Sequence, residues 1–186
     1  MRKYKFSERI AAIWNPKEEI EYLARYKGNT VFLLSSDVVN ISNHVKKIKK
    51  MGFNVFLDVD FCDGLASGEY AFRYASLQGI DGIITVKPKM IDIANSYGLP
   101  NVLRSFALDS NSLSRIKDML VNTQPMFFEI LPAAAFKKVS DYLDYKKIDS
   151  IQMIAAGMID TEDEVSQLIK DGAVAVSTSR KELWEF

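Results

Sequence analysis

Short runs of β-branched and aromatic residues alternate with amphipathic, charge-bearing segments from one end of the chain to the other. Read as strands, the apolar runs begin near Ile10, Thr30, Asn54, Gly82, Asn101, Met126, Ser150 and Ala173, with starts roughly 19–28 residues apart. Helical signals fall between them. Lys17–Tyr26 follows Pro16, a residue pre-set for the first helical turn. Ile41–Met51 has Asn40 as its cap and stops at Gly52, the residue type that most readily takes the backbone just past a helix. Glu69–Gln78 stops at Gly79 and Lys89–Tyr97 at Gly98 by the same rule. Thr161-Glu162-Asp163-Glu164 has the form of a capping box and opens a helix that ends at Gly172.

Strand, helix, strand, repeated over short connections, calls for crossover units and a mainly parallel sheet. Eight such units close a barrel, and the chain is shorter than the roughly 200 residues usual at the low end of that architecture. The expected fold is therefore α/β, a compact single-domain (β/α)8 TIM barrel over residues 1–186 with some minimal helices. Arg180–Phe186 is barely two turns, and Trp184 and Phe186 are expected to cap the barrel floor. An open doubly wound sheet, usually built from about five or six strands, would leave two over.

Composition narrows the class. Of 186 residues, 48% are hydrophobic and 26% charged, an ordinary balance for a soluble globular chain. Lys+Arg and Asp+Glu number 24 each, which argues against a polycation or an acidic tail. Cys62 is the single cysteine, so an internal disulfide and a cysteine-built zinc site are excluded. No apolar run approaches the roughly 18 residues that span a bilayer. The charged start, Met-Arg-Lys-Tyr-Lys-Phe-Ser-Glu, lacks a signal peptide's apolar stretch. A cytoplasmic protein without a membrane partner is expected.

In such barrels the site forms where strands run into their following loops, and polar groups concentrate there. Asn15, Ser35-Ser36-Asp37, Asp58 with Asp60, Lys87, Arg104 with Asp109, and Glu129 follow or end the first six strands. Alternation puts Asp58 and Asp60 on one face, and Thr85 and Lys87 on one face. If those faces point inward, Asp58, Asp60, Lys87, Arg104 and Glu129 converge on one mouth. The alternative is an ion-pair network that only closes the barrel, since buried charges need partners in any case. After the seventh strand comes Ala156-Gly157-Met158, small and turn-permissive, and the eighth ends in Ser177-Thr178-Ser179. Backbone N–H groups of these loops and of a short helix start form the usual phosphate cradle of the architecture. Gly157, Met158, Ser177, Thr178 and Ser179 are the candidate phosphate residues, unless they merely make two tight turns.

Other chemistry is thin. His44, the lone histidine, is expected on the surface of the second helix, which disfavours a histidine-dependent triad. Cys62 reads as packing. Oxygen ligands for a metal exist in Asp58, Asp60 and Glu129, but Lys87 and Arg104 can neutralise the same carboxylates, so no metal is expected. Lys46, Lys47, Lys49 and Lys50, like Lys137/Lys138 and Lys146/Lys147, read better as solvated helix faces than as RNA contacts, because a neutral chain exerts no long-range pull on nucleic acid.

Several ordered fragments resemble one family. They are Phe32-Leu33-Leu34 with Asp37, Val55-Phe56 with Asp60 and Gly64-Leu65, Asp81-Gly82-Ile83-Ile84 with Lys87, and Asp109-Ser110. Glu129-Ile130-Leu131-Pro132, the Gly157 turn, and Ala175-Val176-Ser177-Thr178-Ser179 with Lys181-Glu182-Leu183-Trp184 complete the set. From about Ile10 to Trp184 the chain resembles the glycerol-uptake operon antiterminator regulatory proteins, or glycerol-3-phosphate-responsive antiterminators. The resemblance implies a small barrel that senses glycerol 3-phosphate as effector and acts on leader messenger RNA. Three positions depart from the family pattern: Asp58 stands where relatives tend to carry histidine, Ala156 precedes Gly157 in place of a second glycine, and Ala133 replaces a glycine after Glu-Ile-Leu-Pro. Asp58 adds negative charge to a site meant for an anion, unless Lys87 or Arg104 offsets it.

Three functions are compatible with these features. The first is a non-enzymatic regulator of transcription antitermination that binds a glycerol 3-phosphate-like ligand and RNA, without a cofactor. A homodimer would give such a regulator the larger footprint that RNA binding often needs. The second is a barrel enzyme acting on a small phosphorylated metabolite, with Lys87 or Glu129 as general base. The third is a ligand-binding protein without RNA contacts.

Overall fold

The computed structural model describes residues 4–146 and 151–185. Eight parallel strands close into a barrel in sequence order. They are β1 Arg9–Ile13, β2 Thr30–Leu33, β3 Asn54–Asp58, β4 Gly82–Thr85, β5 Asn101–Phe106, β6 Phe127–Leu131, β7 Gln152–Ala156 and β8 Ala175–Thr178. β8 returns to pair with β1, with Ala11 opposite Thr178. This is the (β/α)8 barrel expected from the pattern. Ser150, Lys147, Phe186 and the opening Met1-Arg2-Lys3 lie outside the described residues.

The helices are α1 Pro16–Glu19, α2 Ile41–Lys50, α3 Glu69–Leu77, α4 Pro88–Ser96, α5 Ser110–Thr123, α6 Phe136–Tyr145 and α7 Glu162–Lys170. Two of them, α5 and α6, are not among the helices that the sequence pattern predicts, although α5 opens with a capping box of Asp109 and Ser112. The minimal helices are at the ends of the barrel's circuit. α1 has one turn and continues as a 3-10 segment over Ile20–Arg25, and a 3-10 turn at Lys181–Trp184 stands in the eighth helix's place. Asn40 precedes α2 but does not cap it by its side chain, which donates instead to both Asp37 oxygens at 3.0 and 2.8 Å.

Each strand has two apolar faces, as strands covered on both sides must. Val31, Leu57, Ile83, Leu103, Phe128 and Val176 point outward under the helices. Ile10, Phe32, Phe56, Ile84, Val102, Phe127, Ile154 and Ala175 fill the interior. Gly82 makes room there, since a Cβ would lie 2.3 Å from the Phe56 ring.

The floor, at the end where the strands begin, is closed by Tyr4 and Phe6. Phe6 sits 4.5 Å from the Phe127 ring and 5.2 Å from Phe56, and the Tyr4 hydroxyl is 2.6 Å from Thr30 Oγ1. The expected floor cap, Trp184, is elsewhere. It is buried on the outer face with Ala11, Ile20, Leu23 and Tyr26, and its indole N–H donates to the Thr178 carbonyl at 2.8 Å. The reason is polar: an indole buried in the apolar interior would have left its N–H unpaired. His44 also departs from expectation. It is buried, with Nδ1 3.1 Å from Ser36 Oγ, because it shares the inward stripe of α2 with Ile41, Val45 and Ile48. No helix among the described residues is long and apolar enough to cross a membrane.

Candidate functional site

At the other end of the barrel the inward positions turn polar on one side and small on the other. β3, β5 and β6 present Asp58, Arg104 and Glu129, all buried. β7, β8 and β1, which are neighbours, present Ala156, Ser177 and Ala12, with Ser177 directly opposite Ala156. Three small side chains in a row cannot fill the volume that aromatic rings fill below. The result is a cavity of about 300 Å³ opening at the mouth. Arg104, Glu129 and Leu131 line one wall, and Ala12, Trp14 and Leu34 another. The β7 and β8 loops supply the rest from Gly157 to Asp160 and from Ser177 to Arg180.

All five candidate phosphate residues therefore share one hollow. Gly157 and Met158 are both left-handed, with φ of 81° and 59°. Glycine takes that conformation freely, whereas for methionine it is uncommon, and Met158 is 85% exposed. No protein acceptor is found among the described residues for the backbone N–H of Gly157, Met158 or Ser179. Thr178 differs from its neighbours: its hydroxyl accepts from Arg180 N at 3.1 Å and is turned toward the Ile159 carbonyl. Ala156 keeps an ordinary backbone and ends β7, so its departure from glycine imposes no strain. The start of α7 is closed to an anion. Thr161 Oγ1 accepts from Glu164 N and the Glu164 carboxylate from Asp160 N and Thr161 N, and Glu162, Asp163 and Glu164 already face the helix dipole.

Arg104 organises the opposite wall. Its Nε donates to Glu129 Oε2 at 2.5 Å and its Nη1 to Asp58 Oδ2 at 2.5 Å. Burial works against the guanidinium charge, but Glu129 and Asp58 more than offset it and raise its pKa. Burial likewise pushes the Asp58 carboxyl from 3.8 up to about 6, with Arg104 pulling the other way. Arg104 thus offsets the negative charge that Asp58 brings. Glu129 keeps one oxygen, Oε1, buried without a hydrogen-bond partner among the described residues. A second cation on the cavity, Arg180, was not singled out in the sequence, although it directly follows Ser179. It is half-exposed at the rim and bonded to Asp160 at 2.7 Å.

Two expected members of the site do not line the cavity. Asp60 lies past β3 in a 3-10 turn, where Oδ2 accepts from Thr85 Oγ1 at 2.9 Å and Val86 N at 2.7 Å. Lys87 pairs with Asp60 at 3.0 Å and donates to Ser67 Oγ at 2.8 Å, and neither residue lines the cavity. The causes differ: Asp60 has the inward parity of Asp58, but the 3-10 turn at Val59–Phe61 takes it off that face, whereas Lys87 has the wrong parity. Ile84 faces inward and Ile83 outward, which puts Thr85 and Lys87 on the outer register. Asp58, Asp60 and Glu129 consequently do not converge, and no group of three or more metal-ligating side chains occurs among the described residues. Cys62 is buried, and burial pushes its thiol up to about 11.

Comparison with known proteins gives consistent matches. Residues 9–184 match the family model described as glycerol-3-phosphate responsive antiterminator. A crystal structure of a glycerol uptake operon antiterminator-related protein from Thermotoga maritima superposes with a TM-score of 0.87 at 39% identity, covering 97% of this chain and 99% of that one. A glycerol uptake operon antiterminator regulatory protein from Listeria monocytogenes also gives 0.87, at 29% identity and 96% coverage of both chains. The uncharacterized protein YgcP of Escherichia coli is 32% identical over 155 residues, or 83% of this chain and 80% of its own length.

Proposed function

The chain belongs to the glycerol-3-phosphate responsive antiterminator family, and from that premise we propose that it is a ligand-gated regulator whose effector is glycerol 3-phosphate or a close relative. The ligand occupies the mouth cavity, and occupancy controls binding to a leader messenger RNA. The observation that carries this reading is the cavity's β7–β8 side: Gly157, Met158 and Ser179 line it with N–H groups that have no partner among the described residues, beside the Ser177 hydroxyl. Backbone N–H groups around a small hollow are donors suited to phosphate oxygens. Arg180 adds a positive charge that can exchange Asp160 for phosphate.

Size points the same way. About 300 Å³ is at the small end of ligand sites, suited to a three-carbon phosphate ester and cramped for a nucleotide. Regulation requires that ligand favour one state of an outer surface over another. Trp14, Met158 and Arg180 line the cavity and are themselves exposed, so an occupant touches residues that a partner can also touch.

The alternative of a barrel enzyme fits less well. Of its two candidate bases, Lys87 is outside the cavity, which leaves Glu129, bonded to Arg104 through one oxygen, as the one of the two within it.

The test is thermal unfolding of the full chain with glycerol 3-phosphate, followed by filter binding to a terminator-bearing leader RNA with and without it. A melting temperature that climbs with ligand concentration is expected; at a hundred times Kd the gain is about 2.7 kcal/mol. RNA retention should change only when ligand is present. No thermal shift removes the sensor, and ligand-independent retention or none removes the regulator.

A further inference from the structure

We propose that Glu129 reads a hydroxyl group of the ligand, so that the ligand lies with its phosphate toward the β7 and β8 loops and a carbon-bound hydroxyl against Glu129 Oε1. This assignment rests on the proposed function, and it names what that reading leaves open: which end of the ligand goes where, and which phosphate esters are refused.

The three carboxylates expected at the mouth differ in what they have left to offer, and a fourth, Asp160 at the cavity rim, is bonded to Arg180. Asp60 is turned away from the cavity: Oδ2 accepts from Thr85 and Val86, and Oδ1, without a hydrogen bond among the described residues, is ion-paired with Lys87. Asp58 uses Oδ1 for the Asp60 backbone N–H at 3.1 Å and Oδ2 for Arg104. Of the three, Glu129 alone both lines the cavity and retains an oxygen without a partner among the described residues. A buried carboxylate oxygen left unpaired is costly, and the group that relieves the cost must be a donor. A phosphate dianion is not one. Against Glu129 it would set negative oxygen against negative oxygen, and this wall already holds two carboxylates to one guanidinium.

An alcohol meets both requirements of the wall. Its proton satisfies Glu129 Oε1. Its oxygen can accept from Arg104, whose Nη2 makes no hydrogen bond to a described residue. Glu129 and Arg104 are Cα partners on adjacent strands, so their free acceptor and free donor stand on one wall of the cavity. The opposite wall offers donors in its N–H groups and the Ser177 hydroxyl, with the Arg180 cation, bonded to Asp160, beside them. The cavity is therefore polarised, one end for an anion and the other for a neutral hydroxyl. Its ligands are phosphate monoesters of small polyols, and alkyl phosphates and inorganic phosphate lack the group the second wall reads.

Calorimetric titration of the full chain with glycerol 3-phosphate, n-propyl phosphate and inorganic phosphate tests this. Glycerol 3-phosphate is expected to bind roughly ten- to a hundredfold more tightly than propyl phosphate, the range for a hydrogen bond to a charged group. In Glu129→Gln the amide oxygen is held by Arg104, which puts NH2 where Oε1 was and removes the acceptor. The preference should fall to about twofold or less, with propyl phosphate bound at least as well as by the wild type. Equal affinities for the two esters in the wild type overturn the assignment while leaving the phosphate site standing. So does an undiminished preference in Glu129→Gln. Should that variant fail to fold, the comparison of ligands on the wild type decides alone. Failure of all three compounds to bind overturns the proposed function, and this assignment with it.

Discussion

Arg104 and Glu129 are directly opposed across the β5–β6 ladder, and a single guanidinium joins Glu129 to Asp58 from the far side of the mouth. All three side chains are at most 5% exposed. Taking the cation away leaves two carboxylates in a dry setting, and breaking a buried pair in that manner costs about 3–5 kcal/mol. Arg104→Met should lose stability of that size in urea denaturation, and adding Asp58→Asn should recover part of it by removing one orphaned charge. A loss below about 1 kcal/mol would mean that the carboxylates are solvated without Arg104.

Lys87 and Ser177 stand on different sides of the ligand question. Lys87 is spent on Asp60 and Ser67 away from the cavity, whereas Ser177 is buried in its wall. Lys87→Ala should leave affinity for glycerol 3-phosphate within about twofold, and Ser177→Val, which replaces a donor with bulk, should weaken it at least tenfold, or about 1.4 kcal/mol. Calorimetry on both variants checks the pair. A large loss in Lys87→Ala would place the ligand over β4 instead of β7 and β8.

Asp58 gives the fold an acid preference at this site. Its carboxyl is held near pKa 6 in the native barrel against an ordinary 3.8. Between those values the native state keeps a proton that the unfolded chain has released, so this group's contribution falls as pH rises through the window and is level above it. A shift of this size corresponds to a change on the order of 3 kcal/mol. Asp58→Asn cannot titrate. Urea unfolding of both proteins at pH 4 and pH 7 should show the wild type losing more stability, or gaining less, than the variant on going to pH 7. Parallel pH profiles would show that Asp58 ionises normally.

The barrel was legible in the sequence because each strand repeats one rule, apolar on both faces with a glycine or polar residue at its edge. The β7 and β8 loops were legible for a related reason: Gly157 and Ser177-Thr178-Ser179 come at the ends of their strands, and a strand's end in this architecture lies at the mouth. Lys87 was misplaced because alternation gives shared faces but not which face points in. That parity is fixed by long-range packing, by Ile84 against the interior and Ile83 against the helices. Asp60 was misplaced for a different reason: the 3-10 turn at Val59–Phe61 breaks the alternation and takes it off the inward face of Asp58. His44 could have been found, since its spacing from Ile41 and Ile48 puts it on the buried stripe. Trp184 could not, because its place depends on reaching the Thr178 carbonyl.

Tyr4 and Phe6, which precede β1, close the floor and leave the mouth to the ligand. Phe6 is 5% exposed and meets Phe32, Phe56 and Phe127 within 5.7 Å between ring centres. Phe6→Ala opens a hole under rings that cannot collapse into it, since each is anchored on a different strand. A cost of about 3–5 kcal/mol is expected. Tyr4→Phe keeps the packing and loses the hydrogen bond to Thr30, worth about 1 kcal/mol. Neither change touches the cavity wall, so the affinity of the folded protein for glycerol 3-phosphate should stay within about twofold while urea midpoints drop. Retained stability in Phe6→Ala would mean that the segment before β1 is not part of the core. A ligand affinity that falls in step with stability would mean that floor and mouth are one mechanical unit, with the aromatic stack transmitting strain to Ser177 and Gly157.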